Sequence, residues 1–275
     1  MPTADHLLKQ LGYDTLGTIG EGAYSNVKMA TSRNHQRTVA IKVIDKKKVS
    51  ADYARKFLPR ELAILRKVKH PTVITAFEFI EISNYPQFIV TELCVSDLMQ
   101  FVLNAVRLSA EMARHLFRQI ARGLRYLHNH HMAHRDLKCE NVLITSDINA
   151  KISDLSFGIM FDGNSSSVCT TYCGSPQYAS PEVRLGVLHD PQKTDIWSLG
   201  VILYIMVTGE MPFNRTYLNT LLQIQQKEEV RFPVDIKVEE KCKSLIKEML
   251  QYNPGDRPDI HTVTKQDWLQ AAQNL

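Results

Sequence analysis

H-R-D-L-K-C-E-N, residues 134–141, places an acid, two bases and an amide within one short stretch of the chain. The stretch follows Ser109–His128, where apolar residues recur at helical spacing, and it precedes the apolar run Val142–Ile144. A charged loop between a helix and a strand can present its side chains to a bound substrate. We therefore interpret it as a candidate catalytic loop; the alternative is a solvated charged loop.

S-D-L-S-F-G, residues 153–158, can be read in two registers. If Asp154 begins the working unit, the chain has a carboxylate placed to hold a metal. If Ser156 begins it, that carboxylate is missing and the protein would be inactive. The alternation of residues 150–153 predicts a short strand that ends just before Asp154, and a hydroxyl is a poor Mg²⁺ ligand beside a carboxylate. Both observations favour Asp154-Leu155-Ser156 as the unit.

A glycine-rich segment, I-G-E-G-A-Y-S-N-V at residues 19–27, lies between two predicted strands. Gly20 and Gly22 would let backbone amides approach phosphates without a Cβ clash, although a plain glycine-rich hairpin has the same pattern. A dinucleotide-binding loop would need a third glycine that opens a helix. Here Ser25 and Val27 lead into a strand, which argues against a Rossmann fold.

Lys42 ends V-A-I-K, residues 39–42, in the strand that follows this loop. A lone lysine in a strand is ordinarily a surface residue with an apolar stem. Glu61 lies on the helix predicted for Pro59–Val68, where Pro59 suits the first turn. A pair between Lys42 and Glu61 would fix the ammonium group to hold a polyphosphate.

The composition is that of a soluble globular protein: 275 residues, 44% of them apolar and 23% charged, with a formal net charge of +4. No long Lys/Arg stripe accompanies this mild charge, so we expect no nucleic-acid binding. Residues 196–207 are the most apolar stretch but are too short to cross a bilayer, and residues 1–9 carry no signal-peptide pattern. We therefore expect no membrane association.

Five cysteines without framework spacing indicate a reducing compartment. Cys169 and Cys173 lack a second Cys or His pair at zinc-ligand spacing, so we expect no structural metal. The expected location is the cytoplasm, with access to the nucleus left open.

The secondary structure predicted from the sequence changes near residue 93. Before it, strand-forming residues dominate, at Thr15–Ile19, Val27–Thr31, Thr38–Ile44, Val73–Ile82 and Gln87–Leu93. After it, helical patterns take over, at Ser109–His128, Asp195–Val207, Tyr217–Lys227 and Val238–Leu250. Ser109 and Thr194 are the expected N-caps of the first two of these helices, and Gly209 is the expected end of the second. We predict an α+β fold with two lobes, a small β-rich lobe with one main helix and a larger, mostly helical lobe, joined by a hinge near Glu92–Ser96.

The order of these motifs resembles that of the eukaryotic protein kinases. A Gly-rich loop, V-A-I-K, H-R-D-L-x-x-x-N, a metal-binding Asp and a Pro-Glu motif follow one another, the last as Ser180-Pro181-Glu182. Asp195–Gly200 and Arg257 complete the pattern. K-F-L-P-R-E, K-C-E-N, C-G-S-P-Q-Y and D-I-W-S-L-G are similar to the testis-specific serine/threonine kinases, within the calmodulin-dependent-kinase-like group.

The resemblance implies one bilobal protein-kinase domain over residues 12–271, after a short extension at residues 1–11. The lobes would comprise residues 12–93 and 94–271. A role in spermatogenesis rests on the resemblance alone.

The resemblance also implies the catalytic roles. Asp136 would orient the acceptor hydroxyl and accept its proton, and Lys138 would counter the charge on the transferred phosphoryl group. Lys42, held by Glu61, would contact the α- and β-phosphates of ATP. The 18 positions from Asp136 to Asp154 (154 − 136) agree with the kinase pattern.

The nucleotide site implied by the resemblance combines metal ligands with a loop and apolar walls. Asn141 and Asp154 would hold Mg²⁺, which bridges and neutralises the phosphates. Thr91 would be the gatekeeper beside the adenine. The residues expected to cover the phosphates, enclose the adenine or bind its edge are Ile19, Gly20, Glu21, Gly22, Ala23, Tyr24, Ser25, Asn26, Val27, Ala40, Thr91, Glu92, Cys94 and Leu143.

Regulation and substrate choice are further implications. Thr171 aligns with the activation-loop threonine, and Arg135 would pair with a phosphate there; the alternative is a merely flexible polar loop. Ser175 would sit beside the acceptor as a structural hydroxyl. Asp97 and Glu140 lie where related kinases receive basic residues, so we expect a preference for Arg before the acceptor.

The sequence thus predicts an ATP- and Mg²⁺-dependent serine/threonine protein kinase. We expect it to act as a monomer on protein substrates and to be activated at Thr171 by an upstream kinase or by itself. Departures at Ser25, Leu155, Ser156 and Ser180 support a second hypothesis, a pseudokinase that binds nucleotide or partners without transferring phosphate. A non-kinase nucleotide-binding protein is a third. Leu155 should keep an apolar plug under the Glu61 helix, while Ser156 in place of a glycine narrows the backbone choices.

Overall fold

Five antiparallel strands form the main sheet of the first lobe. The computed structural model describes residues 3–22, 25–83, 85–161, 168–169, 173–213 and 230–270. The strands are β1 (Tyr13–Glu21), β2 (Asn26–Ser32), β3 (Arg37–Ile44), β4 (Ala76–Ile80) and β5 (Gln87–Glu92), in the order β1-β2-β3-β5-β4. All five predicted strands are present. The fourth is shorter than predicted because Val73 instead forms an isolated bridge with Ile152 of the second lobe.

Alternation along β3 gives the sheet two different faces. Val39 and Ile41 are fully buried in a small core on one face. Ala40 and Lys42 point to the opposite face because successive side chains of a strand alternate. This two-residue alternation therefore places the small apolar core and Lys42 on opposite sides of one strand.

A helix that the sequence analysis did not predict, α1 (Ala4–Gln10), packs on the first of these faces. The Thr3 hydroxyl caps it by accepting from the N–H of His6 at 3.3 Å. Leu7 and Leu8 are buried in the small core. The N-terminal segment is thus part of the packed lobe.

The main helix of this lobe, α2 (Leu58–Lys67), packs on the other face of the sheet, after a π-helical turn at Tyr53–Phe57. Pro59 lies in its first turn, as predicted. Ile64 and Leu65 belong to a large core that continues into the second lobe. The helix therefore links the two lobes on the side where Lys42 points.

The second lobe is mostly helical and also contains short strands. Its helices are α3 (Leu98–Ala105), α4 (Ala110–Asn129), α5 (Pro181–Leu185), α6 (Pro191–Thr208), α7 (Glu240–Met249), α8 (Ile260–Lys265) and α9 (Asp267–Gln270). Its strands are β6 (Ser96–Asp97), β7 (Met132–Ala133), β8 (Val142–Ile144), β9 (Ala150–Ile152) and β10 (Ile159–Met160), of which β6-β8-β9 and β10-β7 form small antiparallel sheets. Three-residue 3₁₀ turns occur at Cys139–Asn141, Leu155–Phe157, Pro176–Tyr178 and Pro254–Asp256.

Three of the expected helix ends can be compared with the structure. Ser109 caps α4 by accepting from the N–H of Met112 at 3.2 Å, and Gly209 ends α6 with a φ of +78°, both as predicted. The expected N-cap at Thr194 is wrong, because α6 begins at Pro191. Asp190 caps it, accepting from the N–H of Gln192 at 2.8 Å. Proline suits the first helical position since the missing N–H has no helical partner there.

The helix predicted for Tyr217–Lys227 lies outside the described residues. Within the described ranges, no helix has the length and apolar character of a membrane span. All five cysteines are free thiols.

Candidate active site

Lys42, Glu61, Asp154 and Ser156 converge where α2 faces the 3₁₀ turn at Leu155–Phe157. Nζ of Lys42 lies 2.6 Å from Oε1 of Glu61 and 3.0 Å from Oδ1 of Asp154. The Ser156 hydroxyl lies 3.0 Å from the same Nζ, 3.1 Å from Oε2 of Glu61 and 2.5 Å from Oδ1 of Asp154. One hydroxyl therefore bridges all three charged groups.

The charges of Lys42 and Asp154 hold each other ionised. Burial alone would lower the pKa of Lys42, but the carboxylates of Asp154 and Glu61 outweigh it and raise that pKa above its ordinary value. Burial would likewise raise the pKa of Asp154, but the Lys42 ammonium and the Ser156 hydrogen bond hold it well below its usual range. Burial and the charge of Glu61 raise the pKa of Tyr53 to about 12. Its hydroxyl donates to Oε2 of Glu61 at 3.3 Å as a neutral group.

The turn that carries Asp154 has the register favoured by the sequence. Asp154 has left-handed backbone angles (φ 53°, ψ 70°) and precedes the 3₁₀ turn. Leu155 is 1% exposed and belongs to the large core into which α2 packs. The apolar residue thus plugs the core while the preceding carboxylate faces Lys42.

Asp136 is held by donors on three sides. Its Oδ1 accepts from the N–H of Ser175 at 2.7 Å, and its Oδ2 accepts from Nδ2 of Asn141 at 3.2 Å. Nζ of Lys138 lies 3.3 Å from Oδ2 and donates to the Ser175 hydroxyl at 2.8 Å. Gly174 supports this arrangement with a φ of +95°, and a Cβ there would lie 2.5 Å from the carbonyl oxygen of Arg135. The carboxylate is therefore fixed in an orientation set by backbone and side chain together.

Buried Asp195 holds the loop that presents Asp136. Its two carboxylate oxygens accept from the N–H groups of His134 and Arg135, each at 2.8 Å. Nε2 of His134 donates to the carbonyl oxygen of Ser153 at 2.8 Å, while its Nδ1 accepts from the N–H of Asp136 at 3.2 Å. The imidazole therefore ties the loop of Asp136 to the end of β9, immediately before Asp154.

Asn141 connects the contacts around Asp136 with the segment that carries Asp154. Its Nδ2 donates to the carbonyl oxygen of Asp136 at 2.8 Å, which leaves the amide oxygen available as a ligand. The backbone N–H and the hydroxyl of Ser153 both bind the Asn141 carbonyl oxygen, at 2.8 and 2.9 Å. An amide oxygen and an ionised carboxylate, that of Asp154, are thereby placed on adjoining segments. Oxygen donors of this kind suit Mg²⁺, which takes few protein ligands and completes its shell with phosphate and water.

Comparisons with known proteins can now be set beside this geometry. Residues 13–269 match the family model of the protein kinase domain. The chain belongs to the protein kinase family. It is similar to testis-specific serine/threonine-protein kinase 1 of Homo sapiens, with 41% identity over 268 residues, 96% of this chain and 73% of that protein. Testis-specific serine/threonine-protein kinase 3 of Mus musculus is 41% identical over 266 residues, 96% of this chain and 98% of that protein.

A more distant likeness is to serine/threonine-protein kinase SIK1 of Mus musculus, 36% identical over 264 residues, 96% of this chain and 33% of that protein. These findings confirm the family resemblance and the bilobal α+β fold predicted from the sequence. The chain is a serine/threonine-protein kinase, and ATP and a divalent metal are implied by its domain.

The described residues of the glycine-rich loop, on either side of its tip, are paired with one another. Gly20 pairs with Val27, and the N–H of Gly22 donates to the carbonyl oxygen of Ser25 at 2.8 Å. Ile19 at the end of β1 is 48% exposed. Ala23 and Tyr24 lie outside the described residues. Glu21 and Asn26 pair at the base of the loop.

The expected adenine site lies where the sheet meets the second lobe. Ala40 pairs with Thr91 across β3 and β5, and the Thr91 hydroxyl donates to the Ala40 carbonyl oxygen at 3.4 Å. Leu143 on β8 is partly buried against the large core. Glu92 braces the hinge, since its Oε1 accepts from the N–H of Thr75 and from Nζ of Lys151, both at 2.8 Å. Cys94 follows as a partly buried free thiol.

The two acids expected to bind basic substrate residues lie close to Cys139. Asp97 caps α3, its Oδ1 accepting from the N–H of Gln100 at 2.9 Å. Glu140 is exposed and accepts from the hydroxyl of Tyr178 at 3.2 Å. Burial and then the charges of Glu140 and Asp97 raise the pKa of the Cys139 thiol. Both carboxylates therefore belong to one acidic region of the second lobe.

The activation-loop prediction is only partly within the structure. Thr171 lies outside the described residues. Arg135 is buried, donating from Nε to the carbonyl oxygen of Phe157 at 2.7 Å. Its Nη2 has no hydrogen-bond partner among the described residues.

Two contributors to the site were missed from the sequence. Ser156 was interpreted as a stiffer backbone position, but its hydroxyl lies within the charged cluster. Tyr53 was not singled out, although it binds the glutamate that holds Lys42. A serine two positions after the predicted metal-binding Asp was the available signal for the first; for the second, no motif marks the tyrosine.

Proposed function

We propose that this kinase transfers the γ-phosphoryl group of ATP, bound with Mg²⁺, to serine or threonine hydroxyls of proteins. The observation that carries the proposal is the pairing of two preorganised charge clusters. One contains a cation held by Glu61 and Asp154; the other contains a fixed carboxylate at Asp136. Phosphoryl transfer depends on positioning and charge stabilisation more than on covalent chemistry, and both clusters supply these.

Each cluster has a distinct task in this proposal. Asp136 orients the acceptor hydroxyl and takes its proton, and Lys138, 3.3 Å from the same carboxylate, offsets charge on the moving phosphoryl group. Lys42 contacts the α- and β-phosphates. Asn141 and Asp154 hold Mg²⁺, which neutralises phosphate charge when bound. Their donor chemistry supports this assignment, since one carboxylate and one amide leave most of the coordination shell to ATP and water.

Substrate preference is proposed from the acidic region formed by Asp97 and Glu140. Glu140 is exposed, so a basic residue of a substrate can reach its carboxylate. Arginine suits this contact because its guanidinium binds carboxylates in a bidentate manner. A degenerate peptide library should therefore select Arg before the acceptor, and a library without basic selection would contradict this part of the proposal.

Activation is proposed to occur through phosphorylation of Thr171, by an upstream kinase or by the enzyme itself. Arg135 supports the proposal because its buried guanidinium has one nitrogen without a hydrogen-bond partner in the described part of the chain. A phosphate would give that nitrogen a charged acceptor. Thr171→Ala should lower peptide phosphorylation relative to wild type at equal protein concentration. Equal activities would overturn the activation mechanism but not the kinase assignment.

Transfer of labelled phosphate from Mg-ATP to an Arg-containing peptide tests the proposal directly. The control is Asp136→Asn, which retains an oxygen for the Ser175 N–H but places an amide where a proton acceptor is needed. We expect its rate to fall by about 100-fold or more, the usual contribution of a general base. If protein phosphorylated at Thr171 transfers no phosphate yet gains thermal stability with Mg-ATP, the chain is a pseudokinase and our proposal fails.

A further inference from the structure

Cys169 and His189 face each other across an isolated antiparallel bridge in the segment between β10 and α6. The N–H of each donates to the carbonyl oxygen of the other, at 2.9 and 3.0 Å. Directly opposed residues of an antiparallel bridge carry their side chains on the same side. Sγ of Cys169 accordingly lies 3.3 Å from Nε2 of His189. The proposed catalytic roles use neither side chain.

A second hydrogen bond fixes which nitrogen of His189 meets the thiol. Nδ1 lies 2.8 Å from the carbonyl oxygen of Val187. A carbonyl only accepts, so Nδ1 carries the proton and Nε2 of the neutral ring is left as an acceptor that faces Cys169. Transfer of the thiol proton to Nε2 then needs no movement of heavy atoms.

Arg135 contributes a positive charge near the Cys169 thiol. It is 7% exposed, and its Nη2 lacks a hydrogen-bond partner within the described ranges. Burial would raise the pKa of the Cys169 thiol, but His189 and then Arg135 outweigh it and hold that pKa below its ordinary value. The hydrogen bond to Cys169 in turn raises the pKa of His189, an effect reinforced by the charge of Glu182.

The other four cysteines have the opposite character. Burial raises the pKa of Cys94 to about 11 and that of Cys242 to about 12. Burial also raises the pKa of Cys139 and Cys173, although the charge of Arg135 partly offsets this for Cys173. Cys169 is only partly buried, so a small reagent can approach its sulfur. It combines access with two neighbouring positive groups.

We propose that Cys169 is a site of oxidative modification, at which Nε2 of His189 takes the thiol proton and the sulfur then attacks hydrogen peroxide, with Arg135 nearby. Sγ bonds to one peroxide oxygen as the O–O bond breaks, and the leaving hydroxide takes the proton from Nε2 of His189 to depart as water. The sulfur is oxidised by two electrons to sulfenic acid, and the peroxide is reduced. This reactivity does not depend on the proposed phosphoryl transfer. Arg135 is also the cation proposed for phospho-Thr171, so an effect of Cys169 oxidation on activation would rest on that part of the proposed function.

The five cysteines of the wild-type chain provide the first test. The reduced protein is exposed at pH 7 to a small excess of hydrogen peroxide in the presence of dimedone, which traps sulfenic acids. Mass spectrometry of its peptides then measures labelling at each cysteine. We expect Cys169 to be labelled at least about tenfold faster than Cys94, the partly buried control, because burial raises the pKa of Cys94 to about 11 and leaves almost none of it ionised at pH 7. Labelling of Cys169 no faster than Cys94 would refute the proposal.

The variant His189→Gln tests the pairing itself. Glutamine is polar but cannot hold the proton, so we expect the pH midpoint of iodoacetamide alkylation at Cys169 to rise towards that of an ordinary thiol. His6→Gln, on an exposed position of α1, is the matched control and should leave the midpoint unchanged. Thermal melting of both variants reports whether they fold. A midpoint that His189→Gln does not move would overturn the assignment, and if that variant does not fold, the wild-type comparison decides alone.

Discussion

Replacing Ser156 by alanine removes one hydroxyl from the centre of the Lys42–Glu61–Asp154 cluster and leaves its charged groups in place. The hydroxyl lies 3.0 Å from Lys42, 3.1 Å from Glu61 and 2.5 Å from Asp154. It has one proton, so it accepts from the ammonium and donates to only one carboxylate at a time. Two hydrogen bonds to charged groups are therefore lost in the variant.

The expected loss of stability depends on the contacts that the Ser156→Ala variant keeps. Hydrogen bonds to charged groups contribute about 1.5–3 kcal/mol each. The direct contacts of Lys42 with Glu61 at 2.6 Å and with Asp154 at 3.0 Å persist, so no charge is left unpaired. Because every charged group keeps a partner, we expect the free energy of unfolding to fall by about 1–2 kcal/mol, less than the roughly 3–6 kcal/mol that two such bonds would give by simple addition. For a domain of this size the melting temperature should drop by about 2–8 °C.

The same substitution should have the opposite effect on metal-nucleotide binding. Oδ1 of Asp154 is occupied by the Ser156 hydroxyl and by Lys42. A divalent cation that binds through this oxygen competes with the hydroxyl for its lone pairs. Ser156→Ala should therefore show a larger rise in melting temperature on addition of Mg-ATP than the wild type does, although its melting temperature without ligand is lower.

Differential scanning fluorimetry with and without Mg-ATP measures both effects. Ser146→Ala is the matched control, since Ser146 is exposed and lies outside the cluster; it should match the wild type in both conditions. A merely structural serine would lower the melting temperature without increasing the response to Mg-ATP. An unchanged melting temperature without ligand, or a smaller response to Mg-ATP, would refute the reasoning about Ser156.

Two further predictions concern the packing that holds the site. Glu182 forms a buried bidentate pair with Arg257, and both contacts are 2.7 Å. Glu182→Gln leaves the arginine charge unpaired, so it should lower the free energy of unfolding by about 3–5 kcal/mol, as measured by urea denaturation. Burial would raise the pKa of Glu182, but Arg257 holds it below the ordinary value. Its stabilisation is therefore present above the ordinary carboxyl pKa of about 4.3 and is lost as the pH falls through the folded-state value, a dependence that the glutamine variant should lack. Leu8 is fully buried between α1 and the sheet, so Leu8→Ala should lower the free energy of unfolding by about 2–5 kcal/mol, whereas Gln10→Ala, at an exposed position of the same helix, should leave it nearly unchanged. Equal denaturation midpoints for Leu8→Ala and wild type would show that α1 is not packed in solution.

The sequence predicted the two-lobed fold of this kinase because its strands and helices follow from regularly spaced apolar residues and from the order of the motifs. Alternation in V-A-I-K explains why Lys42 leaves the sheet on the face opposite Val39 and Ile41 and can meet Glu61, the pair that the sequence analysis considered. The motif order identified the family, which brings its fold with it. Ser109 could be recognised as a cap because its signal is local: one side chain and the N–H of Met112, three residues along.

Predictions were incomplete or wrong where the deciding contact is distant in the chain or where two local signals compete. The α1 helix is short, and its stability comes from Leu7 and Leu8 packing on a sheet formed later in the chain. Thr194 looked like a cap by residue type, yet Asp190 followed by Pro191 was the stronger signal. In each case the local propensity was present but did not show which competing contact would form.

The polar contacts of Ser156 and of Cys169 were the hardest features to predict from the sequence. Ser156 and Glu61 are 95 positions apart, and Cys169 and His189 are 20 apart, with no motif joining either pair. A sequence can identify residues that carry protons, but the position of a proton depends on which acceptor the fold places within about 3 Å. Ser156 therefore could be judged only as a substitute for glycine until its hydroxyl was seen between two carboxylates. Cys169 could be judged only as an unlikely zinc ligand until the bridge to His189 supplied its base.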